Sequence, residues 1–150
     1  MLRDQALAPL ARQHQNGLAL CVLIDRAFES EAPAETVARL TALTIDRFDM
    51  EISNHFEVEE ELVFPTVEKE LGGHPLLAEF TSEHRRFEQI IDQLRNAPSV
   101  ELLKEFSALL RRHIRREESE FFEEVEHRLP RQVLSALGAK IDTMAVRIPI

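Results

Sequence analysis

The sequence predicts an all-α protein: an antiparallel up-down-up-down four-helix bundle with a short C-terminal helix or tail. Three observations carry this. The 150 residues include only 4 Gly and 7 Pro and no Tyr or Trp, while Leu, Glu, Ala and Arg recur at helical spacing and no stretch alternates like a strand. The breakers Ser30-Glu-Ala-Pro-Ala34, Gly72-Gly73 before His74-Pro75, Asn96-Ala-Pro-Ser99 and Pro130 cut the chain into four long periodic stretches. The connections are only a few residues long, which makes successive helices antiparallel neighbours. With 44% hydrophobic residues the chain has enough apolar surface for one domain with its own core, over residues 1–150.

The first helix is expected from about Gln5 to Phe28. The second starts at about Pro33, well placed as a first-turn proline, and runs to Phe64 or beyond. Pro65 has no N–H for the carbonyl of Glu61, so it must kink or end that helix. The third runs from about Pro75 to Arg95. The fourth opens on Ser99 as N-cap with Glu101 in the first turn and continues to about Leu129. The bundle thus spans about 5–129, with an extension over 130–150. There Val133, Leu134, Leu137 and Ile141 mark a short amphipathic stretch, and Met144-Ala-Val-Arg-Ile-Pro-Ile150 is an apolar end. This extension either caps the bundle or pairs with a second copy to make a homodimer.

The formal net charge of -9 would repel a polyanion, so no nucleic-acid partner is expected. The densest basic run, Arg111-Arg112-His113-Ile114-Arg115-Arg116, is followed at once by Glu117, Glu118 and Glu120, and reads as a solvated face with intrahelical ion pairs. No membrane-length apolar run and no signal-peptide pattern occurs, and a single cysteine cannot form an internal disulfide, so a cytoplasmic protein is expected. Cys21, set among Leu18, Leu20, Val22 and Leu23, reads as a small buried hydrophobe.

The core stripes contain the chemistry. On the second helix the inward positions are Phe48, Ile52, 55, 59 and Leu62, and the occupants of 55 and 59 are His55 and Glu59. On the fourth helix Leu102, Phe106, Leu109, 113, 117 and Phe121 carry His113 and Glu117 in the same relation. The first helix places His14 after Leu10, and the third places His84 after Phe80, with Glu88 one turn on. In an antiparallel bundle these positions fall at similar levels if the second helix persists past Pro65 to Leu71, within about one turn at about 1.5 Å per residue. A buried carboxylate without a compensating charge costs several kcal/mol or more, so two of them among four imidazoles call for cations. Imidazole and carboxylate without thiolate suit iron, manganese or zinc, and the ligand count is natural for two ions.

His14, then His55-Phe-Glu-Val-Glu59, then His84, then His113-Ile-Arg-Arg-Glu117 resembles the hemerythrin-like, or HHE cation-binding, family of bacterial type, whose pattern is H, HxxxE, H, HxxxE on four helices. The resemblance covers roughly residues 10 to 130. It implies a four-helix bundle around a non-haem centre of two iron ions, oxo- or hydroxo-bridged, with Glu59 and Glu117 bridging, the histidines as terminal ligands and zinc or manganese as alternatives. An open position on one iron would meet dioxygen, nitric oxide or peroxide. The oxygen carriers of this family have HxxxH on the third helix, where this chain has His84-Arg-Arg-Phe-Glu88, so either Glu88 replaces the second histidine or water fills the place. A harder carboxylate there favours the ferric state and disfavours simple oxygen storage. The carriers also use HxxxxD on the last helix, where Glu118 stands in reserve to Glu117.

The expected function is therefore a di-iron protein that binds or senses dioxygen, nitric oxide or peroxide, more a binding protein than a dedicated enzyme. A di-iron oxidoreductase that decomposes peroxide or reduces nitric oxide shares the same ligands, and a metal-free helical adaptor is the bland alternative. His74 in its loop and His127 in the last turn of the fourth helix are read as structural or solvent-facing, and Glu57, Glu60, Glu61, Glu118 and Glu120 as mostly exposed. The ferritin-type Glu-x-x-His pattern occurs only at Glu124-Val-Glu-His127, and no HExxH, phosphate loop or GxSxG elbow is present.

Overall fold

A computed structural model describes residues 3–148; of the two apolar termini, Met1, Leu2, Pro149 and Ile150 lie outside the described residues. All regular structure among these residues is helical. A 3₁₀ turn, Gln5–Leu7, leads into helix α1, Ala8–Ala27, and Asp4 caps the turn by accepting from the Ala6 N–H. Helix α2 covers 34–71 as one uninterrupted helical run, through Ala34–Arg47, Ser53–Val58 and Phe64–Leu71 joined by two wider, π-helical turns, Phe48–Ile52 and Glu59–Val63. Helix α3 is Leu77–Asn96. Helix α4 covers 100–128, again with a π-helical turn, Glu117–Phe121, and Ser99 caps it by accepting from the Leu102 N–H as expected. Helix α5 is Arg131–Met144.

Pro65 does not end α2. The π-turn just before it lets the Phe64 N–H reach back to the carbonyl of Glu59, and Pro65 then sits in the first turn of Phe64–Leu71, where a missing N–H is tolerated. The helix stops at Gly72, whose φ of 77° closes it with a left-handed residue that a side chain would disfavour.

Cross-helix pairs run in opposite sequence directions on neighbouring helices. Arg3 meets Glu123, His14 meets Glu117, and Asp25 meets Arg111, which ties α1 along α4. Asp49 meets Arg95 and Glu60 meets His84, tying α2 to α3. Glu79 with Arg116, Glu83 with His113 and Arg86 with Glu105 do the same for α3 and α4. The basic run of α4 is therefore used mostly between helices rather than within one: Arg111, Arg112 and Arg116 pair with Asp25, Glu83 and Glu79, and Arg116 also meets Glu120 one turn on.

The apolar core is split in two. One half contains Leu7, Leu10, Val63, Phe64, Phe80, Phe121 and Phe122. The other contains Leu20, Ile24, Ile52, Phe56, Phe87, Ile91, Phe106 and Ile114. Each of α1 to α4 passes from one half to the other: α1 between Leu10 and Leu20, α2 between Phe56 and Val58 with His55 and Glu59 on either side, α3 between Phe80 and Phe87, and α4 between Ile114 and Phe121. Helix α5 buries Leu134, Leu137 and Ile141 in the first half, against the N-terminal turn of the same chain. Gly138 allows the close approach: a Cβ there would lie 2.7 Å from both Cα and Cβ of Ala6. Cys21 is fully buried, its thiol directed at the carbonyl of Ser107. No helix of the described residues is long and apolar enough to cross a membrane.

Candidate metal centre

The polar positions that split the core converge. His14, His55, Glu59 and Glu117 form one group and Glu59, His84 and His113 a second, each with donor atoms within 4.8 Å of one another, and every member is buried. Glu59 belongs to both. The Glu117 Oε1 lies 2.8 Å from His14 Nε2 and 3.2 Å from His55 Nε2, while its Oε2 lies 3.5 Å from His113 Nε2. The Glu59 Oε1 lies 3.2 Å from His84 Nε2 and its Oε2 lies 3.4 Å from His55 Nε2. Each HxxxE pair works as the helix geometry dictates, because residues four apart rise about 6 Å and turn about 40°, leaving both side chains on one face. Glu59 and Glu117 are each the first residue of a π-turn, a wider helical turn often found at functional sites.

All four Nε2 atoms face the centre because all four Nδ1 atoms are engaged outside it. His14 Nδ1 donates to Glu118 Oε2 at 2.6 Å, His84 Nδ1 to Glu60 Oε2 at 2.7 Å, and His113 Nδ1 to Glu83 Oε1 at 2.7 Å. Each of these carboxylates pairs in turn with an arginine, namely Arg3, Arg85 and Arg112. His55 alone has a neutral partner, the amide oxygen of Gln13 at 2.9 Å. Outer acceptors of this kind fix the imidazole tautomer and raise its basicity toward a cation.

The centre is left short of partners. Glu59 Oε1 and Oε2, Glu117 Oε2, His84 Nε2 and His113 Nε2 are buried without a hydrogen-bond partner. At roughly 1–3 kcal/mol for each unsatisfied buried group, their sum rivals the whole stability of a domain, roughly 5–15 kcal/mol. Protons relieve only part of this. Burial and the neighbouring Glu117 push the Glu59 carboxyl up to about 8. Burial also acts to raise Glu117, but Glu59 and the imidazoles of His113, His14 and His55 outweigh it and hold that carboxyl well below its ordinary range. For His113, burial is overcome by Glu117 and Glu83, which raise the ring to about 10. His84 is raised as well, by Glu59 and Glu60 against burial. Four imidazole nitrogens, two buried carboxylates and no thiolate form a donor set that fits iron, manganese or zinc.

Aromatic rings wall the donors in. Phe56 stacks on His84 at 3.9 Å between centroids, Phe122 stacks on His14 at 5.4 Å, and Phe80 and Phe87 set their edges against His113 at 5.0 and 5.7 Å.

A family model, the hemerythrin HHE cation-binding domain, matches residues 5–125. The chain belongs to this family. Neither the curated proteins nor the solved structures contain a match to it. A cation-binding domain accounts for what the side chains alone leave unexplained, the orphaned donors at the centre of a dry core.

Of the residues singled out by sequence, His14, His55, Glu59, His84, His113 and Glu117 come together. Glu88 does not. It lies one turn beyond His84 but on the outer side of α3, 42% exposed and held by both oxygens to Arg85. Glu118 is not among the converging groups; it backs His14 instead. Glu60 and Glu118, expected to be solvated, are both tied to a histidine of this hemerythrin-type site, and Gln13 and Glu83 were missed altogether. The signal for Glu83 was faint but present, an acidic residue directly before His84 on the inner half of α3. His127 is 70% exposed, as expected. His74 is structural rather than solvent-facing, its side chain 4% exposed, with Nδ1 accepting from the Leu76 N–H at the start of α3.

Proposed function

We propose that this hemerythrin-family chain holds a non-haem di-iron centre that binds or senses dioxygen, nitric oxide or peroxide. His14 and His55 would serve one ion and His84 and His113 the other, with Glu59 and Glu117 shared. The frame is an antiparallel up-down-up-down four-helix bundle over about 5–129 that forms a single domain with the extension. The observation that carries the reading is the overlap of two buried donor groups at Glu59, since one carboxylate placed between two imidazole pairs is suited to two cations rather than one.

Bound iron supplies redox chemistry and a coordination position for a small ligand. The chain's own residues do the rest. Glu118, Glu60 and Glu83 hold the Nδ1 protons of His14, His84 and His113 and keep each Nε2 lone pair turned inward. Phe56, Phe80, Phe87 and Phe122 keep bulk water away, so charges at the centre act in a low-dielectric space.

Anaerobic loading with ferrous iron, followed by exposure to dioxygen, nitric oxide or peroxide in turn, tests the proposal. A visible charge-transfer band that appears with one of these and returns over repeated cycles supports a binding or sensing role. Sustained consumption of peroxide or nitric oxide at many turnovers per centre assigns an oxidoreductase instead, and no spectral change with any of them rejects both.

A further inference from the structure

We propose that Asn54 is a positioning residue for this centre: it relays the backbone polarity of the segment after α5 through Gln13 to His55, and so decides which ring nitrogen of His55 faces inward. Three of the four histidines are backed by carboxylates, which only accept, so their Nδ1 atoms must donate whatever the carboxylate orientation. His55 is backed by an amide, which accepts at one end and donates at the other. An amide fixes a tautomer only if something fixes the amide.

The structure provides that constraint in two steps. Asn54 Nδ2 donates to the carbonyl of Met144 at 3.1 Å, and its Oδ1 accepts from the N–H of Val146 at 3.0 Å. A carbonyl can only accept and an N–H can only donate, so this pair of backbone groups allows the Asn54 amide one orientation. The same Oδ1 then accepts from Gln13 Nε2 at 3.0 Å, and Gln13 Nε2 also donates to the carbonyl of Val146 at 3.2 Å. Gln13 must therefore present its oxygen to His55, whose Nδ1 donates to it at 2.9 Å, leaving Nε2 beside Glu117 and Glu59. Two of the three bonds that dock the backbone of the 144–146 segment end on Asn54 and the third is Gln13's own, so the loss of the Asn54 side chain loosens the segment and leaves Gln13 with no fixed partner that sets its orientation. A polar residue on the flank of α2, outside the converging donors, thus joins the extension to the metal site.

The test uses the full chain with ¹⁵N-labelled histidine, read first in the metal-free protein, so the result does not depend on the di-iron reading. His55 Nδ1 of the parent protein is expected to carry a proton donated to Gln13, whatever Nε2 shares with Glu117. In Asn54→Ala that nitrogen becomes a mixture of protonated and bare, while the rings of His14, His84 and His113 stay unchanged. Asn54→Ser, whose side chain is too short to bridge, carries the same expectation should the alanine variant fail to fold. Adding Gln13→Glu to Asn54→Ala restores the Nδ1–H tautomer, because a carboxylate accepts in either orientation; a merely structural loosening would not be rescued this way. In iron-loaded protein, Asn54→Ala is expected to release metal to a chelator about tenfold faster. A His55 tautomer unchanged in Asn54→Ala, or one not restored by Gln13→Glu, overturns the relay. Failure of the parent protein to take up metal overturns the di-iron proposal alone.

Discussion

Glu59→Gln should act in opposite directions on the metal-free and metal-bearing protein. In the metal-free protein Glu59 is fully buried beside Glu117 and ionises only at about 8, against 4.5 for an ordinary glutamate. A carboxyl raised on folding loses stability as pH climbs from its unfolded value toward its folded one, because the folded state must keep a proton that the unfolded chain gives up. At about 1.4 kcal/mol per pH unit, this amounts to about 3 kcal/mol at pH 7. A glutamine needs no such proton, and Glu117 Oε2 is there to accept from its amide. Metal-free Glu59→Gln should therefore melt roughly 6–12 °C above the parent at pH 7, taking 2–4 °C per kcal/mol for a chain of this size. The gap should close near pH 4.5, where both forms are neutral. With iron present the order reverses, since the substitution removes a carboxylate from both donor groups. Thermal melts followed by circular dichroism at pH 4.5, 6 and 7, with and without iron, settle this. A metal-free Glu59→Gln that melts below the parent at pH 7 would refute the claim that burying the Glu59 carboxyl burdens the metal-free centre.

Other outcomes follow from the same contacts. Glu83→Gln weakens the backing of His113 and should lower metal affinity about tenfold in competition with a chelator, whereas equal affinity would remove Glu83 from the site. Glu88→Ala should leave iron content unchanged, because Glu88 is bound to Arg85 at the surface; a loss of one ion per chain would return it to the ligand set. Gly138→Ala forces α5 away from the backbone of Ala6 and should cost about 1–3 kcal/mol, lowering the melting temperature by roughly 2–12 °C in a thermal scan.

Helix ends and the converging side chains were legible where a local rule decides them. Ser99 as N-cap, the halt at Gly72-Gly73 and the paired His and Glu four residues apart all depend on spacing within one helix. The π-turns were not legible. A stripe stepping by four and three reads the same whether one hydrogen bond closes over four residues or five, so the device that carries α2 past Pro65 leaves no mark on the pattern. The outer partners of the histidines escaped for another reason: Gln13 and His55 are 42 residues apart, and His14 and Glu118 are 104 apart, so only the packing of helices reveals them. Glu88 shows the limit from the other side. Four residues after His84 it satisfies the same spacing as Glu59 after His55, yet its carboxylate lies outside and meets Arg85 with both oxygens, because spacing within one helix does not say where the neighbouring helices converge.

On the proposed reading, Glu59 and Glu117 are tolerated in the buried core because two cations would share them. Iron per chain, measured by elemental analysis after anaerobic reconstitution and gel filtration, tests this most directly. Two irons per chain in the parent, falling in Glu59→Gln, is the predicted result. A parent chain that emerges folded with no bound metal would contradict it.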